Sequence, residues 1–391
     1  MFPLTTAIRD YAWGTTGDLA EFVGRTPSGG PEAELWIGAH HGAPSRLPDG
    51  RALDDAIRDD PLTMLGREVR DAFGDRLPFL MKVLAVNEAL SLQVHPSTDQ
   101  ARLGHAREEL SGVAVDAPTR SYPDPWHKPE LVVALSRFHG IAGFREVGRT
   151  AEILRQLALP WADRLAARLL DGPAEAALRG VVTEILSLSG ADASPLVRDL
   201  GEAARRSTID DTEAGRVCAM LDDLCARYPD DPGVLVTPLL NYVLLEPGEA
   251  LFVDAGAVHA YGSGFALEIM ASSDNVVRAG LTGKHTDIAE LLAITDFHPS
   301  APPRRGPLEP GVDRVDLTPG SAEFELLLGR PPLDGVPGSG PRIVVVLDGE
   351  VELTTRTDRI AVGKGQSVFV PHADGPLEVH GSGRVAVGSV P

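Results

Sequence analysis

Thiols are nearly absent from this chain of 391 residues, which has two cysteines, Cys218 and Cys225. They lie seven apart in a helical pattern. Two helical turns, at roughly 1.5 Å per residue, separate them by about 10 Å, too far for a disulfide within one helix. No thiolate metal pair is available, and both read as ordinary, partly buried thiols of a reducing compartment. Lysine is also scarce: of 36 basic residues only Lys82, Lys128, Lys284 and Lys364 are lysines. No apolar run approaches a bilayer-spanning length, and the longest runs match buried strands. Residues 1–14 lack the charged-then-apolar pattern of a secretory signal, so a cytoplasmic location is expected. Positive charge is short overall. The net charge of -20 argues against a nucleic-acid partner, because a phosphate backbone needs a basic footprint. An anionic small molecule would have to be held by a local cationic cluster against the overall field. Three of the four lysines fall in or beside the segments singled out below, which suggests that a compact amine is required there.

Residues 1–145 read as mainly β. Leu77 to Leu84 is almost continuously apolar, the pattern of a strand covered on both faces. Leu90 to His95 and Leu131 to Leu135 read as further strands. From Thr150 to Tyr228 the period becomes helical, with Thr150 as a candidate cap, Pro173 at a helix start and Asp211 opening a last helix that Pro229 stops. β patterning resumes afterwards, and the Pro-rich stretch Pro299 to Pro310 marks a boundary. The expected organisation is a catalytic β region over 1–145, an all-α insertion over 146–232, the second part of the β region over 233–298 and a C-terminal barrel over 299–391. A weak internal repeat points to two barrels: residues 246–255 and 362–371 both run turn, strand, then small or Pro residues. The expected fold class is therefore mainly β with an all-α insertion, built on jelly-roll barrels of cupin type. The second copy carries His372 without paired ligands beside it and reads as a structural barrel without metal.

Three short pieces carry ligand-type side chains at strand spacing: Gln93 with His95, Lys128 with Glu130, and His259 among small residues. Residues i and i+2 of a strand share a face, so Gln93 would project with His95, and Lys128 with Glu130. Two imidazoles, a carboxylate and an amide oxygen can close around one divalent ion. Such O and N donors without thiolate suit a catalytic rather than a structural site. Lys82 and Glu268 each interrupt an apolar strand, and buried charges need partners. Lys82 either snorkels to a strand edge or serves as a pocket cation. Glu268 is either paired structurally with an arginine or a functional carboxylate. Tyr11, Trp13 and Trp36 read as core rather than as a sugar platform.

These segments resemble the type I mannose-6-phosphate isomerases (phosphomannose isomerases), zinc enzymes of the cupin superfamily. The resemblance is carried by Tyr11–Gly14, Ala33–His40, Leu77–Leu84, Leu90–Pro96, His127–Glu130 and Ala271–Thr282, over most of residues 10–290. It implies one Zn2+ per chain on Gln93, His95, Glu130 and His259, and an essential arginine at Arg278. It places residues proposed for substrate contact or proton transfer at His127, Lys128, Tyr261, Glu268 and Asp274. The implied reaction interconverts mannose 6-phosphate and fructose 6-phosphate, a step of carbohydrate metabolism. Ser97 and Thr98 stand where the family usually has an acidic residue and a lysine, which removes one cation near the pocket. Gly283 precedes Lys284 where Pro is usual, and His41 also replaces a usual Pro.

Aldose–ketose isomerisation moves a proton between C1 and C2 through an enediol. It needs charge stabilisation at O1 and O2, which a divalent metal supplies as a Lewis acid, and a group that shuttles protons. The sequence leaves the base open among Glu268, Lys128 with His127, and a metal-bound water. Ser91, Lys82 and Lys284 are the candidates for binding the substrate's phosphate. The alternative reading is a non-catalytic cupin sensor that binds sugar phosphate, against which Arg278 and Lys128 count. A cupin oxygenase is disfavoured by Gln93 as a fourth ligand and by the cation cluster. The expected partner is a small sugar phosphate, with no nucleic acid and no membrane.

Overall fold

The computed structural model describes residues 1–207, 212–305, 314–333 and 336–391. The apolar run seen in the sequence forms the Phe79–Val86 strand, buried along its whole length. Beside it runs the long His259–Ala271 strand, which organises the catalytic sheet. The second half of that strand pairs antiparallel with Phe79–Val86 on one side, Glu268 opposite Lys82, and with Glu130–Ala134 on the other, Met270 opposite Glu130. Its first residues pair instead with Leu92–Val94 and Phe138–Phe144, His259 standing opposite Gln93. The register shifts between Tyr261 and Ser263, where the strand changes partners. Nearby Gly264 has φ +122°, and a Cβ there would stand 2.5 Å from the Arg137 carbonyl oxygen. Glycine is required for that close approach. This change of partners brings the short Leu92–Val94 strand, and with it Gln93 and His95, alongside the strands that carry Glu130 and Glu268.

Alternation sorts the central strands into two faces. Met81, Val83, Leu131, Val133, Leu267 and Ile269 share one core with Phe324, Leu326, Ile343, Val345, Phe369 and Ala386 of the C-terminal sheet. Their sequence neighbours Lys82, Glu130 and Glu268 line a cavity instead. At Gly388 the two sheets are so close that a Cβ would meet Met81 Sδ at 2.7 Å and Ile269 Cδ1 at 2.9 Å. The C-terminal sheet is centred on Arg342–Thr354, which pairs with Ser367–Val370 and Glu378–Ser389. Phe2–Pro3 joins this sheet, Phe2 opposite Phe369, so the first residues cross the boundary expected from sequence.

Between the paired strands Phe138–Phe144 and Leu240–Leu245, the described residues include helices Val147–Gln156, Pro160–Leu169, Ala174–Leu186, Gly190–Arg206 and Glu213–Arg227. Their apolar faces, among them Leu154, Leu165, Val182, Leu200 and Leu221, pack into a core that also takes Leu92, Val94, Val258 and Val277. The helices thus brace the strands next to Gln93 and His259. Thr150 does not cap a helix. The Glu146 carboxylate accepts the Gly148 and Arg149 N–H groups, and Thr150 Oγ1 donates to the Glu146 carbonyl at 3.0 Å from inside the helix. A carboxylate satisfies first-turn donors as well as a hydroxyl does, which the apolar spacing did not reveal. Asp211 lies outside the described residues, as does part of the Pro299–Pro310 stretch. Thr212 caps the Glu213–Arg227 helix. Cys218 and Cys225 are free and buried. Among the described residues no helix is long and apolar enough to cross a membrane.

Candidate metal centre and active site

His95 follows the Leu92–Val94 strand, while Glu130 and His259 open their own strands. All three are buried, and their ligand atoms lie within 4.8 Å of one another. Each imidazole is oriented from behind: His95 Nδ1 donates to the Asn275 carbonyl at 2.8 Å, and His259 Nδ1 to the Ala257 carbonyl at 2.9 Å. A neutral imidazole carries one N–H, so both Nε2 atoms present lone pairs. They face Glu130, His95 Nε2 at 3.1 Å from Oε1 and His259 Nε2 at 3.5 Å from Oε2. Although His95 Nε2 is that close, it makes no hydrogen bond. Burial, reinforced by Lys128, pushes the His95 pKa down to about 4, so the ring stays neutral. Burial alone would raise the Glu130 carboxyl, but Lys128 and His95 outweigh it and hold it well below the usual range. Two lone pairs and a carboxylate converging in a buried space repel one another, and a divalent cation resolves that repulsion. The Gln93 amide lies 3.3 Å from His259 Nε2, and a half-turn about its last bond exchanges its nitrogen for its oxygen. The donor set fits Zn2+.

A second group, His40, His41 and Asp274, gathers its ligand atoms just as closely. Its hydrogen bonding is different. The Gly42 N–H donates to His40 Nδ1 at 3.1 Å, so His40 carries its proton on Nε2 and gives it to Asp274 Oδ1 at 3.2 Å. That ring offers no lone pair on the side of the carboxylate. The pair orients Asp274 and does not make a metal site. Burial would raise the Asp274 carboxyl, but the His40 hydrogen bond outweighs it and brings the pKa to about 2.

A cavity of about 400 Å³ opens beside the metal cluster. Of the residues expected at the site, Lys82, Ser91, Gln93, Lys128, Glu130, Tyr261, Glu268, Asp274, Arg278 and Lys284 line it. Lys128 Nζ is 3.2 Å from Glu130 Oε1, and the Tyr261 hydroxyl donates to Glu130 Oε2 at 3.1 Å. Burial holds the Tyr261 hydroxyl well above its ordinary pKa. Lys82 neither snorkels nor offers a free cation. Its Nζ lies between Glu34 Oε1 at 3.7 Å and Glu268 Oε2 at 3.3 Å, and these carboxylates outweigh burial and raise its pKa. The partner of Glu268 is therefore a lysine, not an arginine. Burial still outweighs Lys82 at Glu268 and raises its pKa to about 7. Burial lowers the Arg278 pKa, while burial and the nearby Arg278 lower that of Lys284.

His127 does not line the cavity. Its Nε2 lies 2.7 Å from Glu323 Oε1 of the C-terminal region. The aromatics read as core do line it: Tyr11 and Trp13, with ring centroids 5.8 Å apart, and Trp36. Glu34 and His40 were missed. Glu34 had a readable signal, being a charge in an apolar strand at i, i+2 spacing from Trp36, the same cue that singled out Lys82 and Glu268. Ser97, where the sequence lacks the usual acidic residue, serves a helix: its hydroxyl and the Gln100 side chain form a capping box.

A family profile for phosphomannose isomerase type I, catalytic domain, matches residues 1–147, and one for the mannose-6-phosphate isomerase cupin domain matches residues 341–390. The chain is 35% identical to the mannose-6-phosphate isomerase of Salmonella typhimurium over 395 aligned residues, covering 99% of this chain and 98% of that protein. It is 32% identical to the Bos taurus protein of the same name, covering 93% of this chain and 90% of that one. The chain belongs to the mannose-6-phosphate isomerase family. A crystal structure of the Salmonella typhimurium family member, described as bound to fructose 6-phosphate and zinc, superposes with a TM-score of 0.89 at 35% identity, covering 100% of this chain and 99% of that one. Within the family's catalytic-domain match lie Gln93, His95 and Glu130. His259 lies outside both matched stretches and reaches the others through strand pairing.

Proposed function

We propose that this cavity interconverts mannose 6-phosphate and fructose 6-phosphate through an enediol, with Gln93, His95, Glu130 and His259 holding one Zn2+ per chain. The ion, when bound, supplies Lewis-acid polarisation of the sugar's O1 and O2. Glu268 is the group we assign to carbon-proton transfer: as the carboxylate it takes the proton from C2 of the open-chain aldose and returns it to C1. A carboxyl raised to about 7 by burial is matched to both half-steps near neutrality. Lys128, which lines the cavity with its Nζ 3.2 Å from Glu130 Oε1, is the group we assign to proton exchange with O1 and O2. Arg278 and Lys284 make no ion pair among the described residues and crowd each other electrostatically, so a phosphate dianion between them relieves their repulsion. Lys82, already matched by Glu34 and Glu268, is better read as the counter-charge of Glu268 than as part of that phosphate seat. Tyr11 and Trp13 line the same cavity.

The observation that carries this reading is the pair of buried Nε2 lone pairs aimed at Glu130 beside a polar cavity that holds Glu268. We read both sheets as cupin-type jelly rolls, residues 146–232 as an all-α insertion, the compartment as cytoplasmic and the partner as a sugar phosphate without nucleic acid. The test is incubation of purified protein with mannose 6-phosphate, with and without chelator, while fructose 6-phosphate is measured. Conversion that chelator abolishes and Zn2+ restores is expected. Tight binding without conversion would favour the sensor.

A further inference from the structure

Just ahead of the Glu325–Gly329 strand of the C-terminal sheet, Glu323 makes a polar contact with the segment that leads into the catalytic cavity. Glu323 is buried and its two carboxylate oxygens are divided between two partners. Oε1 lies 2.7 Å from His127 Nε2, and Oε2 accepts from the Ser321 hydroxyl at 2.7 Å. The next residue, Phe324, is fully buried in the core shared by the two sheets, which anchors Glu323 to the back of the strands bearing Lys82, Glu130 and Glu268. On the other side of this contact, His127 directly precedes Lys128. The chain ahead of it is pinned as well. The Trp126 carbonyl accepts from the Ser273 hydroxyl at 3.1 Å and from Asn275 Nδ2 at 2.6 Å. The carbonyl of Asn275 in turn holds His95 Nδ1. The segment from Asp124 to Lys128 is irregular, with no strand ladder of its own, so these side-chain contacts on one side, and the Ala271 N–H donating to the Pro129 carbonyl at 3.1 Å on the other, fix where Lys128 begins its path into the cavity.

We propose that Glu323 is a positioning residue for the isomerisation: from the loop that enters the C-terminal sheet, through His127, it sets the backbone that places Lys128 against Glu130. His127, which the family resemblance suggested for proton transfer or substrate contact, thereby becomes the link in this strut rather than a group that touches the sugar. The C-terminal sheet acquires a role in turnover without contributing a side chain to the cavity. The inference rests on the isomerase reading above and on the place of Lys128 within it.

The test separates reach from charge. Glu323→Asp keeps the negative charge but withdraws the carboxylate by one methylene. Glu323→Gln loses the charge but keeps an oxygen at the same reach, able to accept from His127 Nε2–H. Both are small changes that the buried site accommodates. Misplacement by about 1 Å can cost up to about a hundredfold in rate. We therefore expect kcat of Glu323→Asp to fall by about tenfold, KM for mannose 6-phosphate and zinc content to stay within about twofold of the parent, and Glu323→Gln to retain kcat within about twofold. In a His127→Ala background, Glu323→Asp should cost nothing further, because its route to Lys128 is gone. Parental kcat in Glu323→Asp, a larger loss in Glu323→Gln than in Glu323→Asp, or full additivity with His127→Ala would each overturn the proposal. The zinc-loaded parent is the control: if it fails to convert mannose 6-phosphate, the functional reading fails, whereas an active parent with an unaffected Glu323→Asp removes only the strut.

Discussion

Replacing Lys82 by methionine tests how the cavity keeps a buried carboxylate in play. Lys82 Nζ is 3.3 Å from Glu268 Oε2. At an effective dielectric constant of about 20, unit charges at that distance attract by about 5 kcal/mol, equivalent to more than three pKa units at about 1.4 kcal/mol each. Even a third of this moves the Glu268 carboxyl up by about one unit from its value of about 7. A carboxyl raised above its ordinary value holds its proton more tightly in the folded chain. The stability it contributes is full below its ordinary pKa and is lost as pH rises through the folded value. In the parent that loss ends near pH 7, and in Lys82→Met it continues to higher pH. The stability difference between the two should therefore be flat below pH 7 and grow above it, by at least about 1.4 kcal/mol before levelling. It adds to a cost of roughly 3 kcal/mol, already present at pH 6, for leaving Glu34 without its buried cation, although Trp36 Nε1 still donates to it at 2.6 Å. Urea denaturation of metal-free protein at pH 6 and pH 8.5 measures both parts. An equal difference at the two pH values would refute the assignment of Lys82 as the charge that keeps Glu268 ionisable.

His95→Ala removes one Nε2 donor, and zinc content and isomerase activity should disappear together; full turnover in a metal-free preparation would contradict the Lewis-acid reading. Lys128→Arg keeps the charge but not the compact amine, in a side chain that is 9% exposed and 3.2 Å from Glu130, so kcat should fall by about a hundredfold or more. A near-parental kcat would remove Lys128 from proton transfer. Gly388→Val places atoms where Met81 Sδ and Ile269 Cδ1 already stand. It should cost about 3 kcal/mol or more in urea unfolding, and an unchanged midpoint would deny that the two sheets share one core.

Much of the metal centre was legible because its donors are polar residue types placed where apolar periodicity leaves no reason for them. Gln93 with His95, and Lys128 with Glu130, fall at two-residue spacing on or beside short strands, and Lys82 and Glu268 break apolar runs. What the sequence hid was pairing across distance. Nothing local to Glu268 says that its cation is Lys82 on the neighbouring strand, or that Lys82 is shared with Glu34. His127 belongs to a cavity-lining segment, yet its ring turns to a carboxylate almost two hundred positions away. Tyr11, Trp13 and Trp36 read as core because an aromatic that packs and an aromatic that lines a polar cavity have the same local pattern. The Glu146 cap was missed because capping depends on backbone donors rather than on side-chain periodicity.

The Phe79–Val86 and Glu130–Ala134 strands, with the second half of His259–Ala271 beyond its register shift, carry two messages at opposite parity, reagents at even positions and inter-sheet adhesive at odd ones. A single inserted or deleted codon in any of them would exchange the two sets, driving Met81 or Ile269 toward the sugar and Lys82 or Glu268 into hydrocarbon. Divergence within these segments is therefore confined to substitution at constant length. Growth and shrinkage of the gene must occur in the connections, where no such double reading applies.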